Sequence, residues 1–204
     1  RGRAVTSART RGWARALAPA AALSVAAACA PGPAAEPLPV LPIGGDFQLT
    51  DHDNRPFDLA SLRGRVVLIF FGYSSCPDAC PTTLSKLATV ARRLGDDRAR
   101  VKTLYISVDP ERDTPPVLKE DLEYFALDAL GLTGTKDQID KVVGQYGAAY
   151  EVVPTPGSAA KYTVSHSTAV YALDAKGRVR TQFVYEASVD EIVKGIQAIL
   201  ADAS

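Results

Sequence analysis

Val66-Val67-Leu68-Ile69-Phe70-Phe71 is an unbroken apolar run, the pattern of a strand buried on both faces, and it predicts a central strand over 66–71. Beyond Thr82 the period changes. Leu84, Leu87, Ala88, Ala91 and Leu94 recur every three or four residues, which predicts an amphipathic helix stopped by Gly95. Val101 to Val108 reads as a second strand with Leu104, Ile106 and Val108 on one face. Thr114 as N-cap and Pro115 at the first helical position open a helix to about Ala126. Leu130 to Leu132 is a short strand, and Thr135 caps a helix from Lys136 to Tyr146 that Gly147 closes. Tyr150 to Val153 is extended and Pro154 to Lys161 is a loop. Ser167 to Asp174 and Val179 to Tyr185 form a hairpin across Ala175-Lys176-Gly177, and Ser188 caps a last helix to about Ala201. Upstream, Phe47 and Leu49 with the polar turn Asp51 to Pro56 predict a short hairpin, followed by a helical turn from Leu59 to Gly64.

Strand, helix, strand, helix, hairpin and helix is the order of the thioredoxin-like fold. The expected architecture is α/β, a central mixed sheet flanked by helices, with an N-terminal hairpin in front and one helix inserted. This domain is expected over 43–204. Residues 30–42, rich in Pro, Ala and Gly, read as a linker with nothing to pack.

Charge changes the picture at the N-terminus. Residues 1–29 hold five arginines and no acid, which leaves 18 of the 23 basic side chains to face all 23 acidic ones. A mildly acidic domain argues against nucleic acid as a partner. The arginines precede an Ala- and Leu-rich stretch that ends in Ala26-Ala27-Ala28, the parts of an export signal. Cys29 directly follows, as in a bacterial lipoprotein signal. Lipidation of Cys29, cleavage nearby and an uncleaved N-terminal helix are the three alternatives. Each puts the domain on the extracytoplasmic (periplasmic) side of a bacterial membrane.

Composition leaves few groups for chemistry: three cysteines and two histidines. Cys76 and Cys80 lie four residues apart, one helical turn, where a strand ends and a helix begins, so both sulfurs can face one point. Unpaired N–H groups and the positive dipole of a helix start favour thiolates there. Soft metal ligation, redox exchange and a structural disulfide compete for such a pair. His166 stands just before the last hairpin, in a loop that a thioredoxin-like topology brings beside the cysteine turn. Two thiolates favour Cu(I), and an added imidazole suits Cu(II) as well; a structural zinc site normally closes with four ligands. Asp78 reads as a cap of the new helix, Asp109, Arg112 and Asp113 as a self-paired loop, and His52 as a solvated turn residue. Tyr73 and Phe71 are expected to pack beside the cysteines.

Gly44-Gly45-Asp46-Phe47-Gln48-Leu49-Thr50, Phe70-Phe71-Gly72-Tyr73 with Cys76-Pro77-Asp78-Ala79-Cys80-Pro81, Ser107-Val108-Asp109-Pro110-Glu111-Arg112-Asp113-Thr114-Pro115, Gly131-Leu132-Thr133-Gly134 and Val164-Ser165-His166-Ser167 with Asp174 and Gly177 occur in one order over about residues 43–190. In these pieces the chain resembles the Sco/SenC family of copper-binding, thioredoxin-fold assembly proteins for cytochrome c oxidase. The resemblance implies copper ligands at Cys76, Cys80 and His166. Ser75 stands where the family commonly has a histidine or another residue, immediately before the first cysteine. It further implies a copper metallochaperone, with the copper-site subunit of the oxidase as partner and another copper chaperone or a thiol reductant as a second partner. The alternative is a thiol–disulfide oxidoreductase that uses Cys76 and Cys80 as its redox pair. For that reading the motif lacks the Cys-x-x-Cys spacing, and no proline stands in the His166-Ser167-Thr168 bend.

Overall fold

The computed structural model describes residues 38–202, together with residues 2 and 4. The expected signal, Cys29 and most of the expected linker lie outside the described residues. Among the described residues no helix is long and apolar enough to cross a membrane.

Among the described residues, nine strands and four α-helices follow one another: β1 (Gln48–Asp51), β2 (Pro56–Asp58), β3 (Val66–Gly72), α1 (Ala79–Arg93), β4 (Val101–Ser107), α2 (Pro115–Glu123), β5 (Ala129–Thr133), α3 (Lys136–Gln145), β6 (Tyr150–Pro154), β7 (Tyr162–His166), β8 (Val170–Leu173), β9 (Val179–Phe183) and α4 (Val189–Asp202). The main sheet runs β2-β1-β5-β4-β3-β8-β9. β3, β4 and β5 are parallel, and β8 and β9 continue antiparallel on one side. The N-terminal hairpin β1–β2 extends the other edge through an antiparallel pairing with β5. This is the mixed α/β, thioredoxin-like architecture that the sequence pattern predicts.

Every residue of β3 is buried, and the strand alternation divides its side chains between two cores. Val67, Ile69 and Phe71 join Ile139, Val142 and Tyr146 around α3. Val66, Leu68 and Phe70 face the other way, among Leu84 and Leu87 of α1, Leu118 of α2 and Ile192 and Ile196 of α4. The sheet is thus covered on both faces, which fixes the register of β3: a one-residue slip would exchange the two cores.

Four local differences from the sequence reading have physical causes. Leu38 and Leu41, inside the stretch read as lacking packing, rest on the two cores, and Leu41 N donates to Val179 O at 2.8 Å. The helix opened by Thr114 ends at Glu123 rather than near Ala126. Its apolar face stops at Leu122, Tyr124 is exposed, and Ala126 turns the chain at φ 47°. His52 is half-buried rather than solvated, because β1 against β5 brings its Nδ1 to accept from Gly131 N at 3.3 Å. Finally, Tyr162–His166, read as loop, is a strand; it pairs with β6 in a separate two-stranded sheet.

Candidate metal centre

β3 carries the chain to the site, at the carboxyl end of a parallel strand where α/β sheets open their clefts. Its last residue must be glycine. A Cβ at Gly72 would lie 2.7 Å from Cys80 Sγ and 2.9 Å from Tyr105 Oη. Tyr73 O then accepts from Cys76 N at 3.1 Å, closing the turn that presents the first sulfur. Asp113 anchors this turn from below. Its buried carboxylate accepts from Ser74 N at 3.0 Å, Ser74 Oγ at 2.5 Å and Ser107 Oγ at 2.6 Å.

Asp78 occupies the N-cap position of α1, but its side chain makes no capping bond, unlike the sequence expectation. The free N–H groups of the first turn serve the sulfur instead. Cys80 N donates to Cys76 Sγ at 3.5 Å, and the Asp78 N–H also points to it. Cys76 is half-buried between the two cores, whereas Cys80 is buried in the α1 core. Both thiols are free.

His166 comes from the opposite side as the last residue of β7, whose register sets it opposite Tyr150. Its Nδ1 lies 3.0 Å from Ser167 O. A carbonyl only accepts, so Nδ1 carries the ring proton and Nε2 keeps its lone pair. Nε2 points at the cysteines, 3.4 Å from Cys80 Sγ. Ser167 is itself held, with its N donating to Ala149 O at 2.9 Å and its Oγ accepting from Ala149 N at 3.0 Å. Tyr73 meets the imidazole edge-on at 5.8 Å, and Phe70, rather than Phe71, does so at 6.2 Å. Phe71 points into the opposite core, against Tyr146 and Tyr171.

The charged loop after β4 secures the hairpin that bears His166. Arg112 Nε pairs with the Asp109 carboxylate, while its Nη1 donates to Tyr162 O at 3.2 Å. The guanidinium also stacks on Tyr162 at 3.8 Å, and Tyr162 Oη donates to Asp109 Oδ1 at 2.8 Å. The expected self-pairing therefore holds for Asp109 and Arg112. Asp113 leaves that pair and serves the cysteine turn.

Cys76, Cys80 and His166 each offer one ligand atom, and these atoms lie within 4.8 Å of one another. An ion about 2.0–2.3 Å from each member of a trigonal set needs ligand atoms about 4 Å apart, so small side-chain adjustments close the set. Two sulfurs and one imidazole nitrogen form a soft donor set that suits copper. The sulfurs differ in proton affinity. A hydrogen bond from Cys80, opposed by burial and helped by the helix N–H groups, pulls Cys76 down to about 3. The same hydrogen bond, with burial, pushes Cys80 up, so Cys80 holds the shared proton. Iodoacetamide should therefore alkylate Cys76 of the reduced protein at a rate that changes less than about threefold between pH 8 and pH 5. An ordinary thiol slows by about a thousandfold over that range, and a fall of that size would contradict the assignment.

The SCO1/SenC family model matches residues 36–201. The chain belongs to that family. A SCO2-like protein of Rickettsia felis is 38% identical over 152 residues, 74% of this chain and 74% of that one. Among solved structures, Bradyrhizobium japonicum ScoI with copper bound is 40% identical, with a TM-score of 0.69 over 76% of this chain and 98% of that chain. BsSco, described as having a disulfide switch and as a member of the Sco family of cytochrome c oxidase assembly proteins, shares the fold at 23% identity. Its TM-score is 0.64 over 80% of this chain and 97% of that one. For a member of this family, the sequence reading missed two residues around the cysteines. Tyr105 sits in an apolar strand and reads as core, and Asp113 reads as part of a surface loop.

Proposed function

We propose that this chain is an extracytoplasmic copper metallochaperone that holds copper through Cys76 Sγ, Cys80 Sγ and His166 Nε2. In this reading it supports assembly of the dinuclear copper centre of cytochrome c oxidase. The convergence of one imidazole lone pair on two free thiols carries the reading. A low-coordinate site beside a half-exposed sulfur can pass its ion to a partner by ligand exchange, with Cys76 the first sulfur a recipient thiolate would reach. Oxidation of the pair to a disulfide would remove both thiolates, so loading is tied to redox state.

The unequal thiols favour a second reading, a thiol–disulfide reductase acting on the oxidase cysteines. Cys76, the more exposed and more acidic, would attack, and buried Cys80 would resolve the mixed disulfide. For the N-terminal part we propose an export segment over 1–29, with Cys29 lipidated or the segment retained as an anchor.

A strain lacking the chain tests both parts. The intact chain should restore the near-infrared absorption of the oxidase dinuclear copper, and His166→Ala should not; restoration by His166→Ala would favour the reductase reading. Cys29→Ser should move the protein from the membrane to the soluble periplasmic fraction. Retention of Cys29→Ser at the membrane would exclude a lipid anchor.

A further inference from the structure

Tyr105 lies in the middle of β4, fully buried, with its ring in the α1 core 6.0 Å from Phe70. Its hydroxyl is a donor with no well-formed hydrogen bond in this conformation. An unpartnered buried hydroxyl costs about 1–3 kcal/mol, and phenylalanine would fill the same volume without that cost. The hydroxyl is nevertheless aimed at something. It and Cys80 Sγ converge on the space that Gly72 leaves free, since a Cβ there would lie 2.9 Å from one and 2.7 Å from the other. The two groups are within hydrogen-bonding reach of each other.

We propose that Tyr105 is a positioning residue for the metal centre, its Oη donating a hydrogen bond to Cys80 Sγ when that sulfur carries the negative charge of a ligated thiolate. The inference rests on the copper reading above. Cys80 Sγ already receives the Tyr73 N–H, the backbone donor that follows β3. With Tyr105 the buried sulfur is held between two protein donors, while its third direction stays open to His166 Nε2 and the ion. Water cannot supply this donor, because Cys80 is only 2% exposed. A hydrogen bond to a charged group is worth more than one to a neutral thiol. The hydroxyl therefore favours the ligated state over the protonated one, and it trades stability of the metal-free protein for affinity.

Tyr105→Phe, which removes one oxygen and keeps the ring, separates this role from packing. Competition with a chromophoric Cu(I) chelator should show affinity about tenfold weaker than wild type. In the Cu(II)-loaded protein the sulfur-to-copper charge-transfer band should move to lower energy, because an unbonded thiolate is the better electron donor. The metal-free variant should melt at the wild-type temperature or above it. Affinity within twofold of wild type would overturn the proposal. So would weaker affinity with an unmoved band and a lowered melting temperature, the pattern of a packing residue.

A wild-type chain that takes up no copper would sink the functional reading alone. The Tyr105 contact is then judged in metal-free Cys76→Ser, where the thiolate of Cys80 is followed by the NMR shift of its Cβ as pH rises. Loss of the donor in Tyr105→Phe should make that thiolate about threefold harder to form, so that it appears at higher pH. No change in that pH would overturn the contact.

Discussion

Cys76→Ser and Cys80→Ser are each expected to weaken Cu(I) binding by more than about a hundredfold. That is the upper end of what losing a supporting partner of a ligand costs, and here a ligand itself is lost. Serine keeps nearly the same shape but offers a neutral hydroxyl, a hard donor with little attraction for a soft ion. The two substitutions should be equally damaging although Cys76 is half-exposed and Cys80 is buried, because in the proposed set each would supply one of three donor atoms. Chelator competition on the anaerobic, reduced proteins measures this. A variant that kept wild-type affinity would remove its sulfur from the set.

The second large effect concerns Asp113, which touches neither sulfur. Asp113→Ala should cost about 2–3 kcal/mol of stability, measured by urea unfolding. It strips three hydrogen bonds at once and leaves the Ser107 hydroxyl and the Ser74 N–H without their acceptor. Burial is the largest influence on Asp113 and holds its carboxyl above the ordinary 3.8, while the serine hydrogen bonds oppose it. A raised folded-state value means that the group's stability is complete below the unfolded value and is lost as pH rises through the folded one. The penalty of Asp113→Ala should accordingly be larger at pH 5 than at pH 7.5; the opposite order would contradict the assigned direction. Copper affinity should also fall, by about tenfold, since the turn from Tyr73 to Cys76 loses its floor.

The layout of the sheet was legible in the sequence because β3 is buried on both faces and therefore apolar at every position. α1 was legible because one face alone is buried, which gives a helical period. The meeting of Cys76, Cys80 and His166 was legible for a different reason: few residues of those types exist in the chain, and the topology leaves one place for them. What escaped depends on pairing or on close approach in space. β7 buries Val164 alone, and β6, against which it pairs, is largely exposed, so neither shows an alternating pattern. Asp78 sits where a cap belongs, yet the N–H groups it would satisfy turn to Cys76 Sγ. Tyr105 differs from a core phenylalanine by one oxygen, and only its approach to Cys80 across Gly72 gives that oxygen meaning.

Anaerobic titration of the reduced protein with Cu(I), beside His166→Ala, tests the three-ligand centre most directly. The wild-type chain should take up one equivalent and show copper bound by two sulfurs and one nitrogen in its X-ray absorption spectrum. His166→Ala should bind at least about tenfold more weakly and lose the nitrogen contribution. No uptake at one equivalent, or uptake indifferent to the loss of His166, would contradict it.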